Sequence, residues 1–176
     1  GVLLVRNSSN LGFVKAVNQG MISSSAPYIC LMNNDTIATD GWLEEMVRVM
    51  ESNRGVGLVN PSSNTSGQEY DPSLKNLSGQ TQELYTCRGF CMLMKREVIN
   101  DLGPFDETYG IGYFEETDFC KKAQAKDYKI LRAKSAYVYH KESLTFKTLG
   151  NNKEIFASSE RRFLERWGRS LRIGCF

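Results

Sequence analysis

Blocks of apolar and polar residues along the chain switch between a strand period and a helix period. Val2 to Val5 is a short apolar run, read as a strand, and Arg6 to Asn10 is a polar connection. Asn10 can cap a helix running through Phe13, Val14, Ala16 and Val17 toward Ile22, weakened by Gly20. Tyr28 to Met32 reads as a strand covered on both faces. After the polar run Asn33, Asn34, Asp35, an amphipathic helix is expected, with Asp40 as N-cap. Trp42, Leu43, Met46, Val47 and Met50 form its apolar face. Val56 to Val59 and Phe90 to Met94 are further strands, separated by a long loop without periodicity from Asn60 to Ser78. A short helix over Lys95 to Leu102 ends at Gly103 and Pro104. A helix from about Glu116 to Lys126 precedes two short strands, Tyr128 to Leu131 and Ala136 to Tyr139. The tail from Asn151 is an amphipathic helix with Ile155, Phe156, Phe163, Leu164 and Trp167 inward. This alternation predicts one α/β domain, 1–176, with a mainly parallel sheet flanked by helices.

Composition narrows the class. The chain has 176 residues, 41% hydrophobic and 24% charged, as in an ordinary globular domain. A net charge of +2 argues for neither nucleic acid nor a membrane surface as partner. No apolar run is long enough to cross a bilayer. Five scattered cysteines (Cys30, Cys87, Cys91, Cys120, Cys175) lack zinc-type spacing and read as reduced thiols. The chain opens without Met, directly into an apolar strand with no partner before it, which points to a fragment.

Three places carry chemistry. A strand ending in Asn33, Asn34 and Asp35 puts hard oxygen donors at a sheet edge, where α/β folds bind ligands and where a divalent cation can hold phosphate. An Asx-rich turn explains the same residues equally well. Glu115, Glu116 and Asp118 cluster at a helix start; the helix dipole accounts for part of that. Bracketing by Phe114 and Phe119 places at least one acid in a partly desolvated site, which raises a carboxylate pKa toward that of a useful base. His140 is the only histidine and follows a strand. Such residues are more often packed than ligating, but this one ends on the edge that carries Asp35. Gly110 and Gly112 do not make a dinucleotide fingerprint, and Cys87 and Cys91 lack a partnering base.

The order of these pieces resembles that of bacterial family 2 glycosyltransferases of the GT-A fold. The pieces are Asn10-x-Gly12, Leu31 to Thr36, Gly41-Trp42-Leu43, Gly89 to Arg96, Gly103 to Glu107, Glu115 to Cys120, and Tyr137 to His140. The resemblance covers nearly everything to about Phe146. It implies that Asp35 binds a divalent metal (Mn2+ or Mg2+) and that His140 completes that site. Asn33 stands where relatives carry an acid, so one carboxylate carries the charge. Asn10, Gly12, Asn33 and Asn34 are implied donor-binding residues. Glu116 matches the acid that deprotonates the acceptor, with Glu115 as fallback and Asp118 in the same cluster. The implied partners are a nucleotide-sugar donor and a glycan or cell-surface acceptor, in the cytoplasm or at the inner membrane face. Polysaccharide biosynthesis is the implied setting. The upstream strand and loop that hold the nucleotide base in relatives have no counterpart. An incomplete nucleotide pocket, weak or absent transfer, and self-association through an uncovered sheet edge are therefore expected. A non-catalytic nucleotide- or sugar-binding remnant and a metal-dependent phosphohydrolase are the competing readings.

Overall fold

The computed structural model describes residues 1–141 and 152–168. The expected start of the tail helix at Asn151, and the thiol of Cys175, fall outside them. Helix α1 is Gly12–Ile22, followed by strands β1 (Tyr28–Met32) and β2 (Thr36–Ala38) and helix α2 (Trp42–Glu51). Next come β3 (Val56–Ser62), β4 (Thr81–Glu83), β5 (Cys91–Lys95) and helix α3 (Arg96–Leu102). Helix α4 (Glu115–Gln124), strand β6 (Lys129–His140) and helix α5 (Asn152–Trp167) complete the order.

The strands form one sheet in the order β1-β5-β3-β6-β2, with β4 also paired to β6. β3 and β6 are parallel, while β5 runs antiparallel between β1 and β3. The α/β class therefore holds, but the sheet is mixed rather than mainly parallel by pairing. Apolar side chains collect on its two faces. Val14 and Met21 of α1, Val98 of α3, Phe119 and Ala123 of α4 and Phe163 of α5 bury against Leu58, Met92, Met94 and Ile130. On the other face Met46, Val49 and Met50 of α2 cover Val59, Leu93, Ala133 and Val138. Each such side chain contributes roughly 1.5–3 kcal/mol of burial.

Several expectations change for physical reasons. The central strand, buried at all seven positions, is β3, whereas β1 is a half-buried edge strand. Val2 to Val5 forms no strand; its side chains are exposed, Val2 at 97%, and it makes no ladder among the described residues. Asp40 does not cap α2, because Gly41 takes the cap position with φ 75°, a conformation glycine adopts without strain. Leu43 and Phe156 lie outward, while Val49 and Ser159 take buried positions. The two short C-terminal strands are one ribbon, β6. Its register against β3 jumps between Ala133 and Tyr137, because Lys134 to Ala136 bulge away from the ladder. The stretch Asn60 to Ser78 is largely ordered, with single-turn helices at Asn64–Ser66 and Pro72–Leu77. Glu45 of α2 holds its end, accepting hydrogen bonds from the backbone N–H of Gly79 at 2.8 Å and from Ser78 Oγ at 3.2 Å.

Candidate active site

The turn after β1 is closed locally. Thr36 Oγ1 donates to the Asn33 carbonyl at 2.7 Å, and the Asn33 N–H donates to the Phe90 carbonyl at 2.8 Å. β2 then pairs antiparallel with the end of β6, aligning Thr36 with His140. That register brings Asp35 Oδ1 to 3.1 Å from His140 Nε2. Both atoms are sealed from solvent and neither has a well-formed hydrogen-bond partner. Buried polar atoms are normally satisfied, so this pair fits a group that would bind between or beside them. Asn33 is half-buried and Asn34 exposed on the same turn.

Two neighbours hold His140. The ring of Phe90 stacks on it, centroids 4.9 Å apart and planes 13° from parallel. Asn64 clamps its backbone, accepting from the His140 N–H at 2.9 Å and donating to its carbonyl at 2.9 Å. Asn64 was hidden in the sequence within a stretch of Asn, Ser and Gly, and no local pattern distinguishes it.

The base candidates lie at the start of α4. The chain enters this helix through Tyr113 and Phe114 at φ 71° and 69°, a strained left-handed pair of the kind that clusters at functional sites. Glu115 is buried and Glu116 half-buried, and each has one carboxylate oxygen sealed without a hydrogen-bond partner. Burial first, then the charge of Glu116, pushes the Glu115 carboxyl up to about 9. Burial also raises Glu116, while its hydrogen bond with Glu115 and the nearby charge of Arg88 oppose that rise. The two acids are thus coupled, and Glu115 keeps its proton at neutral pH. A Cβ added at Gly89 would stand 3.9 Å from Glu116 Cγ, so that glycine packs against the acid. Gly89 packs on Glu116 and its neighbour Phe90 stacks on His140, so the loop before β5 contacts both the acid and the imidazole.

This arrangement makes stability depend on pH. Glu115 binds protons more tightly folded than unfolded, so the native state holds more protons between about 4.5 and 9. Unfolding free energy should therefore fall as pH rises through that window, with the Glu115 term least costly at its acid end. Glu115→Gln should flatten the decline, and denaturant titrations at several pH values will show whether it does.

The other sequence candidates separate. Asp118 is engaged as a structural anchor. Its carboxylate, 1% exposed, takes Lys122 Nζ at 2.7 Å, Arg166 Nη1 at 2.9 Å and Trp167 Nε1 at 2.8 Å. Tyr109 also donates to it, at 3.3 Å. Asn10 Oδ1 accepts from the Gly12 N–H at 2.9 Å, closing the turn into α1. Gly12 has φ 77°, and a Cβ there would lie 3.3 Å from Ile111 Cα, so only glycine lets α1 meet the 110–112 turn so closely. Asn10 and Gly12 thus border the segment that leads into Glu115. Cys87 is buried and its thiol is pushed well up, chiefly by desolvation, so it is no nucleophile.

Glycosyl transferase family 2 matches residues 1–103, more than half of the 176. The chain belongs to that family. The family 2 match contains Asn10, Gly12, Asn33 to Asp35 and Arg88, while Glu115, Glu116 and His140 lie beyond it. No curated protein matches the chain. Several solved structures resemble it, three of which follow. GalNAc-T7 with UDP, GalNAc and Mn2+ is 15% identical, with a TM-score of 0.63 over 77% of this chain and 31% of that one. The mannosyltransferase PcManGT from Pyrobaculum calidifontis with GDP-Man and Mn2+ is 15% identical, TM-score 0.63, over 81% and 40%. Glucosyl-3-phosphoglycerate synthase from Mycobacterium tuberculosis with Mn2+, UDP-Glc and phosphoglyceric acid is 16% identical, TM-score 0.56, over 91% and 56%. At such identities the likeness establishes the fold of this family 2 chain, GT-A. The chain spans from 31% to 56% of the length of these three proteins. Among the described residues no helix is long and apolar enough to cross a membrane.

Proposed function

We propose that this family 2 chain takes part in inverting, metal-dependent transfer of a sugar from a nucleotide-diphosphate donor to a glycan acceptor. One observation carries the reading: Asp35 and His140 face each other at 3.1 Å with sealed, unsatisfied atoms. A carboxylate and an imidazole suit a divalent cation such as Mn2+ or Mg2+. Two protein ligands leave room for phosphate oxygens and water. Bound there, the cation supplies charge neutralisation on the leaving diphosphate.

The residues of this chain do the rest. Glu116, raised by burial toward the range of a useful base, accepts the proton of the acceptor hydroxyl. The hydroxyl oxygen forms its bond to the anomeric carbon as the bond to the diphosphate breaks, and the electron pair leaves with the diphosphate. One displacement inverts that carbon. Phe90 and Asn64 fix the imidazole so that it need not reorganise. Asn33 and Asn34 contribute neutral donors beside the phosphates, and Asn10 and Gly12 shape the donor side of the cleft.

The reading is tested by titrating UDP and GDP calorimetrically into the full-length protein with and without Mn2+. Binding should require the metal. Asp35→Asn should weaken it at least ~10-fold, since even indirect partners of a metal ligand cost that much. Metal-independent binding that Asp35→Asn leaves unchanged would refute the assignment and favour a plain nucleotide-binding module.

A further inference from the structure

Arg88 and Arg132 come from separate elements and lie near enough for one charge to act on the other. Asn60 brings them together. It aligns with Arg132 across the β3–β6 ladder. It also clasps the backbone of Arg88, accepting from the Arg88 N–H at 2.6 Å and donating Nδ2 to the Arg88 carbonyl at 3.1 Å. On β6, Arg132 shares its side with Ile130, which packs in the core beneath α4. The Arg132 Nη1 donates to the neutral amide oxygen of Gln82 at 3.1 Å. Its Nε is sealed from solvent without a hydrogen-bond partner. Among the described residues no carboxylate lies within ion-pair distance of either guanidinium. Burial first, and then the charge of Arg88, draws Arg132 below the ordinary arginine range.

Two like charges held together with a buried donor unused are an arrangement that an anion would complete. Its position says which anion. The residue after Arg88 is Gly89, which packs on Glu116, and the charge of Arg88 acts on that acid, which would receive the acceptor's proton. Asp35 and His140 lie at the other end of this loop, under Phe90. We propose that Arg88 and Arg132 bind a phosphate group on the sugar acceptor and thereby present its neighbouring hydroxyl to Glu116. This rests on reading Glu116 as the base. The paired guanidiniums match a dianion in charge and in the geometry of their donors, whereas an uncharged glycan would leave both unpaired.

The donor's own diphosphate is the rival source of such an anion, and the experiment separates the two. The probe is inorganic phosphate, titrated into the full-length protein alone and after saturation with UDP or GDP and Mn2+. Phosphate should bind in both cases. Arg88→Gln, at an exposed position that folding tolerates, should weaken phosphate about tenfold and leave nucleoside diphosphate affinity within about twofold. Arg132→Lys keeps the charge but loses the planar fork, and should weaken phosphate likewise. Thermal melts confirm that both variants fold. Absence of phosphate binding overturns the proposal. So does competition between phosphate and nucleoside diphosphate, or an equal loss of both in Arg88→Gln, since the arginines would then serve the donor. Asp35→Asn tells the two readings apart: if it spares nucleoside diphosphate while Arg88→Gln still abolishes phosphate binding, the donor-site reading fails and the anion site stands.

Discussion

Glu116→Gln is expected to lower kcat for sugar transfer by about 10²–10⁴-fold while leaving the affinity for nucleoside diphosphate within about twofold. The amide keeps the volume and one acceptor oxygen beside Gly89, so the site should not collapse. What it lacks is a place for the proton. The neighbour Glu115 cannot take over, because burial and the adjacent acid already hold it protonated at neutral pH. Glu115→Gln should therefore be far milder than Glu116→Gln. The order of the two effects, read from the rate of nucleoside diphosphate release with acceptor present, checks which acid is the base. Equal losses would assign the base to the pair rather than to Glu116.

Why the sequence offers Glu115, Glu116 and Asp118 together, without separating them, has one physical origin. All three acids sit in the first turn of α4, where the helix dipole favours each alike. What separates them is tertiary: Asp118 meets Arg166 and Trp167, roughly 50 residues away on α5, while Glu116 meets Gly89. No local period carries that information. The strongly patterned elements were legible. Tyr28 to Met32 is a strand with those bounds, and the helix before Gly103 ends where that glycine turns the chain. Asp35 and His140 were legible as a pair because one follows and the other ends a strand at the same edge of the sheet. Their supports were not. Asn60 and Asn64 look like loop residues, and only the folded chain shows one clasping Arg88 and the other clamping His140. Val2 to Val5 had a strand's composition, but a strand needs a neighbour to pair with, and among the described residues it has none.

Asp118→Ala should cost about 3 kcal/mol of stability, at the lower end of what breaking a buried ion pair costs. The carboxylate is almost fully buried, whereas Lys122 and Arg166 reach solvent and can rehydrate part of their charge. Tyr109 and the indole of Trp167 would still lose their acceptor. Asp106→Ala is the control. It removes the more exposed partner of Arg166, 2.7 Å away, and should cost no more than about 1 kcal/mol. Urea denaturation of the two variants measures the difference. A loss for Asp118→Ala as small as for Asp106→Ala would show that α5 is held by the apolar packing of Phe163 and not by this anchor. Because α5 also takes the carbonyl of Gly112 on Ser159 at 3.0 Å, loosening it should disturb the turn that delivers Glu116.

The bulge in β6 sets a rule for how the protein can change. Arg132 lies on one side of the three looped-out residues, Lys134 to Ala136, and His140 lies on the other. Side chains along an extended ribbon alternate faces, so adding or deleting one residue between Tyr137 and His140 would turn the imidazole away from Asp35. The same change inside the bulge would be absorbed there, altering the spacing between the two arginine- and histidine-bearing ends without flipping either. Insertions should therefore be tolerated better at 134–135 than between Tyr137 and His140, since Ala136 is packed in the core.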